Sequence, residues 1–98
     1  MKFNTETAHF VDCFEFEEFV TSHYGVQGYD VSGNEEIGND STLKYSNMVK
    51  NTLDDYDMGK ISKLRDGKCP NYITRILLQD LINNDILPEG TWIISVSW

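Results

Sequence analysis

The last eight residues of the chain, TWIISVSW, constrain the fold most strongly, because two sets of side chains alternate along them. One set is entirely apolar and consists of Trp92, Ile94, Val96 and Trp98. The other set contains Ile93 and two serines. A period of two is typical of a β-strand that buries one face. A strand this apolar needs partners, so the chain is predicted to form a sheet covered by a second layer.

The stretch DCFEFEEFV, which begins at Asp12, alternates acidic and aromatic residues and could therefore be a strand or a helix. Its apolar residues continue at spacings of three and four, which favours a helix over residues 13–24. Asp12 is the predicted N-cap, Glu15 follows three residues later, and Gly25 is the predicted terminator. The exposed side of this helix is predicted to carry Glu15, Glu18 and Ser22, with Glu17 beside them.

The remaining segments predict a mixed order of helices and strands. Strands are predicted over residues 2–11, 29–31 and 41–51, and helices between Thr52 and Gly67 and from Cys69-Pro70 to Asn84. Residues 32–41 have the turn signals of a loop or hairpin. The predicted fold is therefore α+β, with a small antiparallel sheet and two or three helices packed on one face, in a single domain over residues 1–98.

The distribution of charge is the most informative functional feature. The 98 residues include 16 acids and 8 lysines and arginines, for a net charge of −8. Residues 1–40 hold nine acids and one base, and no lysine or arginine occurs between Phe3 and Leu43. Residues 41–98 hold seven of each, so the whole excess lies in the first part of the chain. Such a charge disfavours direct binding to nucleic acids and favours association with basic surfaces.

Catalytic and metal-binding patterns are weak in this sequence, so we predict a non-enzymatic protein with no cofactor and no metal. Cys13 and His23 could meet in space, but a buried thiol and a surface imidazole explain them more simply. Residues 33–40, GNEEIGND, offer oxygen ligands but lack the order of a calcium-binding loop. Four basic residues are expected to complement the C-terminal end of a helix: Lys60, Lys63, Arg65 and Lys68.

No apolar run is long enough to span a membrane, and the first ten residues lack the apolar region of a secretory signal. We therefore expect a cytoplasmic protein that does not contact membranes. The two cysteines are too few for a disulfide framework, which agrees with that expectation.

The small size, a sequence pI near 4.5, the acid-only stretch and the C-terminal LPEGTWIISVSW together carry a resemblance. The chain resembles the small acidic proteins by which bacteriophages and other mobile elements inhibit host defence, including anti-restriction and anti-CRISPR proteins, some of them DNA mimics. The resemblance covers the chain in kind, without a motif that assigns individual residues. It implies an inhibitor that blocks a basic, nucleic-acid-handling host protein in the host cytoplasm.

Under this interpretation the partner-binding residues are the clustered acids Glu15, Glu17, Glu18, Glu35, Glu36 and Asp40. The protein could also form a homodimer under this interpretation. Two alternatives remain open. The protein could sequester a host signalling nucleotide, with bases stacked on Tyr24, Tyr29, Tyr45 and Trp92 and phosphates bound by Lys44, Lys60 or Arg75. It could also be a regulatory or structural protein whose acids only form a solvated face.

Overall fold

The C-terminal strand predicted from the alternation forms the centre of the sheet. A computed structural model describes residues 8–31, 42–68, 70 and 72–96. The described part of the chain forms a three-stranded sheet and three helices, which confirms the α+β class. In chain order the elements are β1 (Ala8–Asp12), α1 (Cys13–Tyr24), β2 (Thr42–Met48), α2 (Asp55–Arg65), α3 (Thr74–Asn83) and β3 (Gly90–Ser95).

The sheet is mixed, with the strand order β1-β3-β2. β2 pairs with β3 in antiparallel fashion, as predicted, whereas β1 pairs with β3 in parallel. The antiparallel prediction is therefore right for only one of the two pairings. Alternation along a strand defines its two faces but not its direction. The three helices lie between β1 and β3 in the chain, and a connection this long allows the parallel arrangement.

The register of the sheet assigns each strand residue to one of two faces. Val11, Ile94 and Leu43 form one row across the strands, and His9, Trp92 and Tyr45 form the next. Ile94 and Trp92 are buried, as are Leu43 and Val96, so this face belongs to the hydrophobic core. The prediction that Trp92, Ile94 and Val96 share the buried side of the C-terminal segment is thus confirmed. The opposite face carries Phe10, Ile93 and Lys44 in one row.

α3 lies in the interior of the protein, since seven of its ten residues are buried. The apolar spacing predicted for it is confirmed by the burial of Ile73, Ile76, Leu77 and Leu81. The predicted start at Cys69-Pro70 is wrong, because the helix begins at Thr74. Tyr72 has a φ of 57°, in the left-handed region, and a residue in that conformation cannot continue a right-handed helix.

Residues 29–31 do not form the predicted strand. Tyr29 and Val31 are nevertheless buried, and the Tyr29 hydroxyl forms a hydrogen bond of 2.5 Å with the Thr74 hydroxyl. Their alternating apolar pattern therefore arises from packing against the helical layer rather than from sheet pairing. The loop or hairpin predicted at residues 32–41 lies outside the described residues.

Smaller differences occur at the ends of other elements. The helix predicted to begin at Thr52 begins instead after Asp54, which is the N-cap of α2. The Asp54 carboxylate accepts a hydrogen bond of 2.8 Å from the Asp57 amide. Alternation from Leu43 and Tyr45 would place Asn47 on the inner side of β2. Asn47 instead adopts a φ of 50° at an irregularity in the ladder, and Met48 is buried. Such a bulge shifts the alternation by one residue, which the sequence pattern did not predict.

Candidate functional site

The candidate site is built on α1, whose ends agree with the sequence prediction. At the N-terminal end, the Asp12 carboxylate accepts a hydrogen bond of 3.1 Å from the Phe14 amide. At the C-terminal end, Gly25 adopts a left-handed φ of 67°, and its amide donates to the Thr21 carbonyl. Glu15 lies in the first turn, where its negative charge is favourable to the helix dipole. The caps therefore fix where α1 begins and ends, and the buried residues Cys13, Phe16, Val20 and Tyr24 determine which side is turned to solvent.

We use the name acidic face for the exposed surface formed by Glu15, Glu18 and Ser22 of α1. With Phe19, these residues line a shallow depression of about 340 Å³. Within the described part of the chain, neither glutamate forms an ion pair. Because no lysine or arginine occurs between residues 3 and 43, nearby segments of the chain supply no counter-charge. The predicted grouping of Glu15, Glu18 and Ser22 on one exposed side is confirmed.

Glu17 does not belong to this face, although the sequence placed it beside the others. Its carboxylate is half-buried and accepts a hydrogen bond of 2.8 Å from the Val31 amide. Successive helix residues are rotated by about 100°, so the neighbouring residues Glu17 and Glu18 face different surroundings. Glu17 therefore holds the segment after α1 against the helix, and its contact with a partner stays a prediction.

The surroundings of Glu17 change its protonation. Partial burial raises the pKa of the carboxyl group, and the negative charges of Asp30 and Asp12 raise it further. The hydrogen bond from Val31 acts in the opposite direction without cancelling the increase. Burial of a charged group in a region of low polarity favours its neutral form, which explains the sign of the change.

The other predicted partner-binding residues, Glu35, Glu36 and Asp40, lie outside the described residues and stay predictions. The same holds for the weak calcium pattern in residues 33–40. In residues 8–31, 42–68, 70 and 72–96, no group of three or more His, Cys, Asp or Glu side chains is arranged to hold a metal ion.

A second feature adjoins the acidic face, and no sequence pattern predicts it. We call it the sheet-edge groove, a cleft of about 570 Å³ between β1 and α1. It is lined by Ala8, His9, Phe10 and Val11 of β1, by Glu15, Phe16 and Phe19 of α1, and by Leu87 and Trp92. Phe10 is 73% exposed and Phe19 is 38% exposed. The periodicity of apolar residues could not predict this groove, because the residues that line it come from separate parts of the chain.

The aromatic residues suggested for nucleotide stacking are mainly core residues. Tyr24, Tyr29 and Trp92 are only 8%, 4% and 7% exposed, respectively. Tyr24 donates a hydrogen bond of 2.6 Å to the Asp80 carboxylate, and the Trp92 indole donates to the Pro88 carbonyl at 3.0 Å. Burial, together with the hydrogen bond to Asp80, strongly raises the pKa of the Tyr24 hydroxyl. These three side chains have little free surface for a base, whereas Tyr45 is half-buried, so the described structure does not support a stacking site formed by all four residues.

The suggested pairing of Cys13 with His23 also fails on geometry. Cys13 is buried and His23 is exposed. The two residues are ten positions apart in α1, which corresponds to about 15 Å along the helix axis. A thiol and an imidazole at that separation cannot exchange a proton directly.

A polar cleft of about 620 Å³ lies where the segment after β2 meets α3. There the Asn83 amide group donates to the Asn51 carbonyl at 2.7 Å and accepts from the Asn51 amide at 2.8 Å. Gln79 donates to the Asn83 oxygen at 2.9 Å and to the Val49 carbonyl at 2.7 Å. These polar groups satisfy one another, so the cluster holds the chain segment on α3 rather than offering groups to a ligand.

Comparisons with protein-family models, with curated proteins and with solved structures found no match to this chain. Of the helices in the described ranges, none combines the length and the apolar character needed to cross a bilayer.

Proposed function

We propose that this protein is a non-enzymatic binding protein that uses the acidic face of α1 to occupy a basic, nucleic-acid-binding surface of a partner. In its full form, the proposal is that a bacteriophage or mobile element encodes it to inhibit a host defence protein, with carboxylates taking the place of phosphates. The observation that carries the proposal is that Glu15 and Glu18 are exposed side by side and form no ion pair with any of the described residues.

The exposed carboxylates of the acidic face have both a cost and a use. Like charges on one helix face repel, which destabilises the folded protein slightly. The same charges accelerate association with a basic surface and exclude acidic competitors. The Glu17 carboxylate already accepts a hydrogen bond from the Val31 amide. In the described part of α1, we therefore assign the contact with the basic surface to Glu15 and Glu18. Residues Glu35, Glu36 and Asp40 would extend the surface in the full proposal.

The test compares two double charge reversals that change the net charge equally. E15K/E18K alters the acidic face, whereas D55K/D66K alters exposed acids at the two ends of α2. Wild-type and variant proteins are immobilised and exposed to bacterial lysate at about 50 mM and about 300 mM salt, since surface ion pairs weaken over this range. A retained protein is then purified, and displacement of duplex DNA from it is measured.

We expect the wild-type protein and D55K/D66K to retain a basic nucleic-acid-binding protein and to displace DNA from it. We expect E15K/E18K to bind about tenfold more weakly or worse, which corresponds to about 1.4 kcal/mol. If both double variants lose binding equally, net charge alone explains the association and the acids are a solvated face. Retention of no basic protein by the wild type would also refute the proposal.

A further inference from the structure

We infer that the sheet-edge groove binds an extended segment of the partner in which apolar residues alternate with lysine or arginine. This inference rests on the proposed function and adds to it the conformation and chemistry of the bound segment. It depends on three independent features of the groove: its position along a strand edge, its apolar lining, and the acidic residue that joins it to the acidic face.

The position of the groove indicates an extended ligand. Four consecutive residues of β1, Ala8 to Val11, line it, although successive strand residues point to opposite faces of a sheet. A cleft lined by both sets opens onto the edge of the strand rather than onto one face. β1 pairs with β3 alone among the described strands, so no described strand occupies its other edge. An edge of this kind accepts an added strand through main-chain hydrogen bonds.

The lining of the groove indicates apolar side chains in the ligand. Phe16 and Trp92 are buried at 2% and 7% exposure and form its inner wall. Phe10 and Phe19, which are more exposed, form the outer part. A volume of about 570 Å³ has room for more than one aliphatic side chain. Alternate residues of an extended segment would enter this space.

Charge complementarity indicates basic residues at the intervening positions. Glu15 lines both the groove and the depression on the acidic face, so the two surfaces are continuous. A lysine or arginine next to an inserted apolar residue could reach Glu15 or Glu18. An acidic segment would be repelled from the same place. The groove therefore favours a basic and apolar segment over a neutral or acidic one.

The probe is an acetylated and amidated eight-residue peptide that alternates lysine with valine, titrated into the full-length protein by calorimetry. A peptide that alternates glutamate with valine is the charge control. Two further peptides carry N-methyl groups either on every lysine or on every valine. Alternate amides of a strand point to the same side, so each modified peptide can form hydrogen bonds along one edge only.

We expect the lysine-valine peptide to bind, the glutamate-valine peptide not to bind, and one of the two N-methylated peptides to lose binding while the other retains it. F19S should weaken binding by about tenfold, as expected for truncating an aromatic side chain in a pocket. F14S is the matched control, because Phe14 is exposed on the same helix but does not line the groove. Thermal unfolding of both variants should remain close to that of the wild type.

Several results would overturn the inference. These are equal binding of both N-methylated peptides, equal effects of F19S and F14S, and binding of the glutamate peptide as tight as that of the lysine peptide. A wild-type dimer that F19S dissociates would assign the groove to a second copy of the chain instead. If F19S leaves capture of a basic partner intact while E15K/E18K abolishes it, the proposed function stands and the groove inference fails. Peptide binding without capture of any basic protein would show that the proposed function fails.

Discussion

Replacing Glu17 separates its role in stability from the role of the exposed glutamates beside it. E17A removes the only side-chain acceptor that the described structure provides for the Val31 amide. E17Q keeps an oxygen at that position but removes the charge. E18A changes a glutamate of the acidic face that is exposed. The three variants together distinguish the loss of a hydrogen bond from the loss of a charge.

The expected magnitude follows from the burial of Val31, which is 0% exposed. A buried amide left without an acceptor costs about 1–3 kcal/mol, and we expect E17A to lose stability in this range. In a domain of this size, each 1 kcal/mol lowers the melting temperature by about 4–8 °C. E18A should change the free energy of unfolding by less than about 0.5 kcal/mol, as is usual for an exposed side chain.

The raised pKa of Glu17 gives E17Q a different pH dependence from the wild type. Between the ordinary pKa of glutamate and its raised value, the folded protein binds more protons at Glu17 than the unfolded chain does. The contribution of this group to stability therefore falls as the pH rises through that window. Glutamine does not titrate, so the stability of E17Q relative to the wild type should increase through the window and level off above it.

Urea unfolding, followed by circular dichroism at a series of pH values from about 4 to 8, measures all of these quantities. At neutral pH we expect E17Q to be close to the wild type or slightly more stable, and E17A to be clearly less stable. The reasoning is refuted if E17A is no less stable than E18A, or if E17Q loses as much stability as E17A. A pH-independent difference between E17Q and the wild type would contradict the assigned direction of the pKa change.

Three other predictions test the interior of the protein. Y24F removes the hydrogen bond to Asp80 and should lower the free energy of unfolding in urea by about 1 kcal/mol, because Asp80 keeps some contact with water; an unchanged value would contradict this. N83A removes both hydrogen bonds to the main chain of Asn51, so hydrogen exchange at the Asn51 amide should accelerate while global stability changes less. L77A leaves a cavity at a residue with 0% exposure and should cost about 2–5 kcal/mol in chemical denaturation, a large part of the stability of a small domain.

Local signals explain the parts of the fold that were predicted well. The ends of α1 follow from Asp12 and Gly25, whose capping preferences depend on adjacent residues only. The buried face of β3 follows from alternation in a segment where every second residue is apolar. The spacing of apolar residues predicted α3. Its start was misplaced at Cys69-Pro70, because proline is common at the first position of a helix. The left-handed conformation of Tyr72 has no comparable sequence signal.

The candidate site was predicted in part for the same reason. Helical spacing alone groups Glu15 and Glu18, and the residues between Phe3 and Leu43 include no lysine or arginine. It does not reveal that Glu17 binds an amide 14 residues further along the chain. Nor does it reveal the sheet-edge groove, which joins β1 and α1 to Leu87 and Trp92.

By itself, the sequence determined where α1 and β3 lie, which side of each faces the core, and how unevenly the charge is distributed. These properties depend on periodicity and on neighbouring residues, which act before the chain has folded. Only the tertiary structure decided the parallel pairing of β1, the structural use of Glu17 and the existence of the groove. Each of these requires contacts between distant segments, and such contacts are selected by the packing of the whole core rather than by any local pattern.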